Sequence, residues 1–206
     1  MLMTKPCDLI SRFIGSLLVV LLSHLLSWPL ETMAETDRKR FFSLYAGRYS
    51  DTALIQNLQL DHDFQDSHVY VVSIGQELGR HGNVLALELE GQFAIHRGRQ
   101  NHQEINCAVT LRWLPFPWDQ YVDTSFAFGN GLSYATADPP VEIENADNGR
   151  TAQWLYYILA EWAFAVDDDS EWEVFWRIHH RSGVYGLMAD NNAGSNYMGL
   201  GLRKRF

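Results

Sequence analysis

Residues 171–206 read EWEVFWRIHHRSGVYGLMADNNAGSNYMGLGLRKRF, and the fold turns on how they alternate. Trp172, Val174, Trp176, Ile178, His180 and Ser182 interleave with Glu173, Phe175, Arg177, His179 and Arg181. A two-residue period with unlike faces is the mark of a β-strand, whose successive side chains point to opposite sides. After a polar loop the pattern returns: Met198, Leu200, Leu202 and Phe206 share one face, and Tyr197, Gly199, Gly201 and Arg203 the other. Lys204 interrupts the apolar face near its end, where a long side chain can carry its charge to a membrane surface. A soluble sandwich would alternate too, so the position of the charges decides. Glu173, Arg177 and Arg181 share a face, and an arginine held at mid-depth in lipid costs about 2–4 kcal/mol. The charged face therefore points inward, glycines suit a crowded interior, and His180 and Ser182 fall on the outer face.

Working back through the chain, eight strands are expected, at about 41–49, 67–76, 83–97, 103–114, 121–129, 151–166, 171–181 and 196–206, each near the length that crosses a bilayer at a tilt. In the third, Leu85, Leu87, Leu89, Phe93 and Ile95 alternate with Glu88, Glu90, Gln92 and His96, which sends acids inward to meet Arg112 and Arg177. Ile105, Cys107, Val109, Leu111 and Trp113 face outward in the fourth, as do Val122, Thr124, Phe126 and Phe128 in the fifth. The connections alternate between long and short, apart from a short third one at 98–102. Trp113, Trp118, Trp154, Trp162 and Trp172 lie mostly near strand ends, where interfacial aromatic girdles belong. The expectation is an all-β, eight-stranded antiparallel transmembrane β-barrel with both termini on one side. Eight strands leave an interior that side chains nearly fill, so a channel is not expected.

The N-terminus has the plan of a secretory signal peptide: Lys5 and Arg12, an apolar run to Leu26, then Thr32, Met33 and Ala34. Residues 1–34 are read as that leader and 35–206 as the barrel, a size that suits one domain. A net charge of −9 and no basic patch argue against a nucleic-acid partner. Cys7 lies in the leader, so Cys107 is left without an internal disulfide partner. Paired metal-ligand spacing is absent, and His179 and His180 point to opposite faces of one strand; neither a metal nor a cofactor is expected. The acidic residues of two long loops, Asp51, Asp61, Asp63 and Asp66 in one and Asp138, Glu142, Glu144 and Asp147 in the other, read as solvated surface.

The chemistry rests on the outward His-x-Ser pair. Residues two apart on a strand lie about 6.5–7 Å apart along it, within reach of an imidazole leaning toward a serine hydroxyl. A register that keeps both apolar faces outward sets His180 opposite Met198 and Ser182 opposite Asn196. Asn196 or Asp190 then orients the histidine, and Gly183 N–H is the candidate oxyanion donor.

IHHRSG at 178–183 and GSNYMGLGLRKRF at 194–206, with a weaker likeness in SLYAGRYS at 43–50, resemble the outer-membrane lipid A 3-O-deacylase family. The resemblance implies an eight-stranded barrel in the bacterial outer membrane acting on lipid A of lipopolysaccharide. It also implies that His180 is the base and Ser182 the nucleophile of an ester hydrolase. The family's third member is a glutamate on the last strand; here Asn196 stands at that place. The expected activity is a serine esterase cutting an acyl ester of lipid A, without cofactor. The alternatives are a non-catalytic barrel with a structural or adhesive role, and acyl transfer to the same substrate. The oligomeric state is left open.

Overall fold

The computed structural model describes residues 40–58, 62–167 and 170–206; the expected leader at 1–34 lies outside them. Eight strands form the wall: β1 (Arg40–Ser50), β2 (Phe64–His81), β3 (Leu85–Gly98), β4 (Gln103–Trp113), β5 (Asp123–Ala135), β6 (Trp154–Ala165), β7 (Trp172–Ser182) and β8 (Gly194–Arg205). Each pairs antiparallel with its sequence neighbours, and β8 pairs with β1 from Phe41↔Arg205 to Ser50↔Asn196, which closes the barrel. Closure removes the unpaired sheet edges that an open sheet would expose. An even number of antiparallel strands brings the strand ends at Arg40 and Arg205 to one end, here the terminal end. The strand ends joined by the connections after β2, β4 and β6 lie there, and those joined by the connections after β1, β3, β5 and β7 lie at the opposite, loop end.

The strand limits differ from the sequence reading most at β2, which also starts earlier, at Phe64, and at β5, which also runs on to Ala135. β2 continues to His81 through an irregularity between Glu77 and Gly79, which lets it stay paired with β3. β5 begins at Asp123 because the residues before it form a turn held by Asp119, whose carboxylate accepts from Phe116 N (2.6 Å) and Thr124 N (3.1 Å). Thr124 keeps its outward parity but is buried, its hydroxyl accepting from Trp118 Nε1 at 2.9 Å.

Charge fills the inside. Toward the terminal end, Arg112, Arg177 and Arg203 are buried against Glu88, Glu90 and Glu161, and Arg205 joins from β8. Arg112 donates to Glu88 at 3.1 Å and Arg177 to Glu90 at 2.7 Å, the pairings that the alternation of β3, β4 and β7 predicts, and Arg112 also donates to Glu161 of β6 at 2.7 Å. Aromatic rings separate these layers: the Arg203 guanidinium lies over Phe41 and Phe175 at 4.6 and 5.1 Å, a favourable cation–π arrangement. Glycine makes room for them. A Cβ on Gly201 would come within 2.4 Å of the Phe175 ring, and one on Gly75 within 2.1 Å of Phe41.

The outer face is apolar. Leu44, Tyr70, Ile74, Ile105, Val109, Phe128, Leu132, Val174, Leu200 and Leu202 are exposed around the wall. Soluble monomers rarely expose a continuous apolar surface of this kind. Trp113 and Trp172 stand at the terminal end of the belt, and Trp154, packed on Tyr134 with ring centroids 5.0 Å apart, at the loop end. Lys204 reaches past the Trp172 ring toward Glu171 (3.6 Å), as a snorkelling lysine should.

The loop end is closed from above. In the connection between β5 and β6, a short helix α2 (Pro140–Asn145) buries Val141 and Glu142 over the barrel mouth. Glu142 is therefore a barrel residue and not the solvated loop acid that composition suggested. Its carboxylate accepts from Arg181 Nε (2.7 Å), Ser195 Oγ (3.0 Å) and Thr151 Oγ1 (2.9 Å).

Candidate functional site on the outer wall

At the loop end of β7 the strand parity delivers Ile178, His180 and Ser182 to the outside, while His179 and Arg181 turn inward and are buried. His179 belongs to the interior: its Nε2 meets Glu104 at 2.9 Å and its Nδ1 meets the Tyr45 hydroxyl at 2.5 Å.

The register of the last hairpin differs from the expected one by two residues. His180 sits opposite Asn196, Ser182 opposite Gly194, and Ile178 opposite Met198. A two-residue slip keeps every side chain on its own face, so the apolar pattern could not tell the registers apart. The observed pairing puts His180 directly beside Asn196. Their side chains bond, His180 Nδ1 to Asn196 Oδ1 at 2.6 Å, and Asn196 Nδ2 donates to the Thr52 carbonyl at 2.8 Å. The Thr52 carbonyl fixes which end of the amide faces the imidazole. With the amide oxygen toward Nδ1, that nitrogen carries the proton and Nε2 is the basic one.

Thr52 belongs to the connection after β1, which folds back over the outer wall. Its short helix α1 (Leu54–Leu58) lays Leu54 against Ile178, Met198 and Ala160, outward residues that are buried, whereas Leu200 two residues beyond Met198 is exposed. Asn57 braces the turn by donating to the Thr52 carbonyl (2.9 Å) and accepting from the Thr52 hydroxyl (2.7 Å). Nothing in the spacing of Thr52 and Asn196, 144 residues apart, could have signalled this contact.

Ser182 shares the outer face with His180, but no hydrogen bond joins the two among the described residues; the serine Oγ accepts from Val184 N at 3.1 Å. The segment that follows is strained: Val184 and Tyr185 adopt φ of 51° and 52°, left-handed values that are outliers for a β-branched or bulky residue. Gly183, expected as an oxyanion donor, instead spends its N–H on the Ala193 carbonyl at 2.8 Å. Asp190 does not reach the histidine; its carboxylate pairs with Arg150 (3.2 Å). Those two residues line an open cleft of about 440 Å³ between 148–151 and 185–191, and His180, Ser182 and Asn196 are not among its lining residues.

Similar solved structures are outer-membrane barrels. The crystal structure of the outer membrane enzyme PagL superposes with a TM-score of 0.53 at 8% identity, covering 81% of this chain and 99% of that one. Neisserial surface protein A gives 0.49 at 9% identity over 81% and 97%, and the outer membrane protein OprG from Pseudomonas aeruginosa 0.36 at 10% over 81% and 96%. At these identities the likeness is one of fold. No family model matches the chain, and no curated protein matches it.

A second cluster escaped the sequence reading. His96 on β3, His102 in the turn and Glu104 on β4 meet inside the loop end, all three buried. The signal was present around the short third connection: His96 before a tight turn, His102 in it and Glu104 after it share one parity, which brings all three to the same side of a hairpin.

Proposed function

We propose that this chain is a bacterial outer-membrane serine esterase that hydrolyses an acyl ester of lipid A, with Ser182 as nucleophile, His180 as base and Asn196 as the residue that positions the histidine. The observation that carries the reading is the His180–Asn196–Thr52 chain on the outer wall. It orients an imidazole, with Nε2 left as the basic nitrogen, on the outer wall, which in a membrane faces lipid and not water. A base and a serine are useful there only if the substrate is itself a lipid. Strain in the turn directly after the serine also fits a functional site, where sparsely populated backbone conformations concentrate.

In the reaction Ser182 Oγ attacks the acyl carbonyl as His180 Nε2 takes the hydroxyl proton. The tetrahedral intermediate collapses, the sugar oxygen leaves with that proton, and the acyl group stays on Ser182. Water then attacks with the same base, freeing a fatty acid and restoring the serine. Free-enzyme hydrogen bonds of this kind are often long and tighten on binding substrate, and a lipid seated against Ser182 is what would turn its hydroxyl from Val184 N toward His180. Mass spectrometry of lipid A from cells making the wild-type protein or Ser182→Ala tests the proposal. Loss of one acyl chain with the wild type alone is expected, and identical lipid A in both strains would end the enzymatic reading.

Two further outcomes are expected. Asn196→Ala removes the acceptor that fixes the His180 tautomer and should lower ester hydrolysis on the order of 10²-fold, part of what a positioned base contributes; fatty-acid release from mixed micelles measures it. Leu200→Arg tests the membrane setting. Leu200 is 65% exposed near the middle of β8, and an arginine there should cost about 2–4 kcal/mol in denaturant unfolding from phospholipid vesicles. An unchanged midpoint would mean that this face does not meet lipid.

A second reading, a barrel of structural or adhesive role without catalysis, is favoured by the Ser182–Val184 bond and by an amide where a carboxylate would better stabilise an imidazolium. Failure of Ser182 to react with a fluorophosphonate probe in the folded protein would support it.

A further inference from the structure

We infer that the interior of the loop end holds a binding site for one divalent transition ion of the zinc class, ligated by His96, His102 and Glu104. The donor atoms of these residues lie within 4.8 Å of one another. Two independent features of the cluster point to a cation as its ligand.

The first is His102. It is 5% exposed, and neither ring nitrogen has a hydrogen-bond partner. Leaving a buried polar group unsatisfied is costly, and His96, His179, Tyr197, Ser133 and Arg181 nearby are all bonded, while Gln100 leaves one oxygen unpartnered but bonds through its nitrogen. The ring stacks on His96 with centroids 4.3 Å apart and planes at 9°. It is held by no polar contact, so a pivot of this one side chain brings a nitrogen toward the ion.

The second is Glu104. Among the described residues every other buried glutamate has an arginine partner: Glu77 with Arg80, Glu88 with Arg112, Glu90 and Glu161 with Arg177, and Glu142 with Arg181. Glu104 hydrogen-bonds only imidazoles and a hydroxyl, and Arg181 reaches it only through Ser133. Its Oε1 accepts from Ser133 Oγ (3.0 Å) and meets His179 Nε2 (2.9 Å), and its Oε2 meets His96 Nε2 (2.7 Å). A buried carboxylate needs a counter-charge, and a cation between Oε2, His96 and His102 supplies it.

The surroundings are those of a supported site. His179 and Ser133 fix one carboxylate oxygen and leave the other for the ion, and Tyr45 fixes His179; such outer partners orient ligands and raise affinity. On binding, His96 carries its proton on Nδ1 and offers Nε2. Gln100 stands beside Nδ1 at 3.4 Å, and its Oε1 lacks a partner, so turning the amide over provides the acceptor for that proton. Two imidazoles and one carboxylate suit zinc and its neighbours, with a fourth position open. Magnesium and calcium prefer all-oxygen sets.

The test uses the full barrel, folded in detergent without a histidine tag and freed of metal with a chelator. Zn²⁺ is titrated by calorimetry and Co²⁺ by its visible absorption. Binding of one ion per barrel is expected, with affinity at least tenfold lower in His102→Ala and in Glu104→Gln, and a Zn²⁺-dependent rise in melting temperature that the variants lose. Among the described residues the His102 side chain makes no hydrogen bond, and alanine keeps the backbone bond from His96 N to the His102 carbonyl, so the alanine variant should fold, which gel mobility before and after heating verifies; Glu104→Gln, of the same size, is the second variant. Absence of binding to the wild type overturns the inference and assigns the unpaired imidazole to buried water. Binding of equal strength in whichever variant folds overturns it as well, because the exposed histidines would then be the ligands. Neither result bears on Ser182, since the cluster lies inside the wall and the esterase residues outside it.

Discussion

Ser182→Ala is expected to give a normally folded barrel that hydrolyses acyl esters at least about 10⁴-fold more slowly, since the nucleophile of a serine hydrolase cannot be replaced by its neighbours. Folding should survive because, among the described residues, the Ser182 side chain makes one hydrogen bond, accepted from Val184 N at the rim of the outer wall. His180→Ala should cost nearly as much, and the double variant little more than either single one, because groups acting as a unit lose their effect together. That non-additivity is the more discriminating result: two residues that merely line a lipid-binding surface would lose activity in separate, cumulative steps. The measurement is fatty-acid release from purified lipid A in mixed micelles, alongside the heat-dependent gel mobility of each variant. Turnover by a folded Ser182→Ala protein within tenfold of wild type would remove Ser182 as nucleophile.

The largest loss of stability should come from Glu161→Gln, in the charged interior. Glu161 receives Arg112 Nη2 at 2.7 Å, Arg177 Nε at 2.8 Å and Arg203 Nη2 at 2.9 Å, and all four side chains are fully or almost fully buried. Three guanidiniums converge on one carboxylate, and each also needs the charge to offset its own desolvation. Removing one partner of a buried ion pair typically costs about 3–5 kcal/mol, because the remaining charges are left uncompensated. An amide keeps the shape of Glu161 but offers one acceptor oxygen and turns two N–H donors toward cations. Denaturant unfolding in detergent or vesicles should show the loss as a lowered midpoint, or as failure to fold. Adding Arg203→Met should recover part of it by removing one stranded cation, although Arg203 also bonds Glu173 at 3.0 Å and that contact would go too. An unchanged midpoint in Glu161→Gln would mean that the interior is wet enough to screen these charges.

The amino-acid sequence by itself determined that there are eight strands and, for the third, fourth, fifth, seventh and eighth, which face looks inward; the second and sixth, apolar on both faces, gave no such signal. Each of these follows from a local rule: side chains alternate every residue, charge is costly in lipid, and so Arg177 and Arg181 must look inward while Ile178, His180 and Ser182 look out. It also determined that acids of β3 would meet arginines of β4 and β7. Only the tertiary structure decided the register of the last hairpin, since slipping β8 by two residues leaves every face unchanged and yet moves Asn196 from opposite Ser182 to opposite His180. Tertiary structure also brought the Thr52 carbonyl onto Asn196, buried Glu142 over the mouth and set His102 against His96. These are contacts between connections and wall, which obey no period; they arise because closing the barrel places distant segments at one rim, where packing and hydrogen bonding, and not strand pattern, choose the partners.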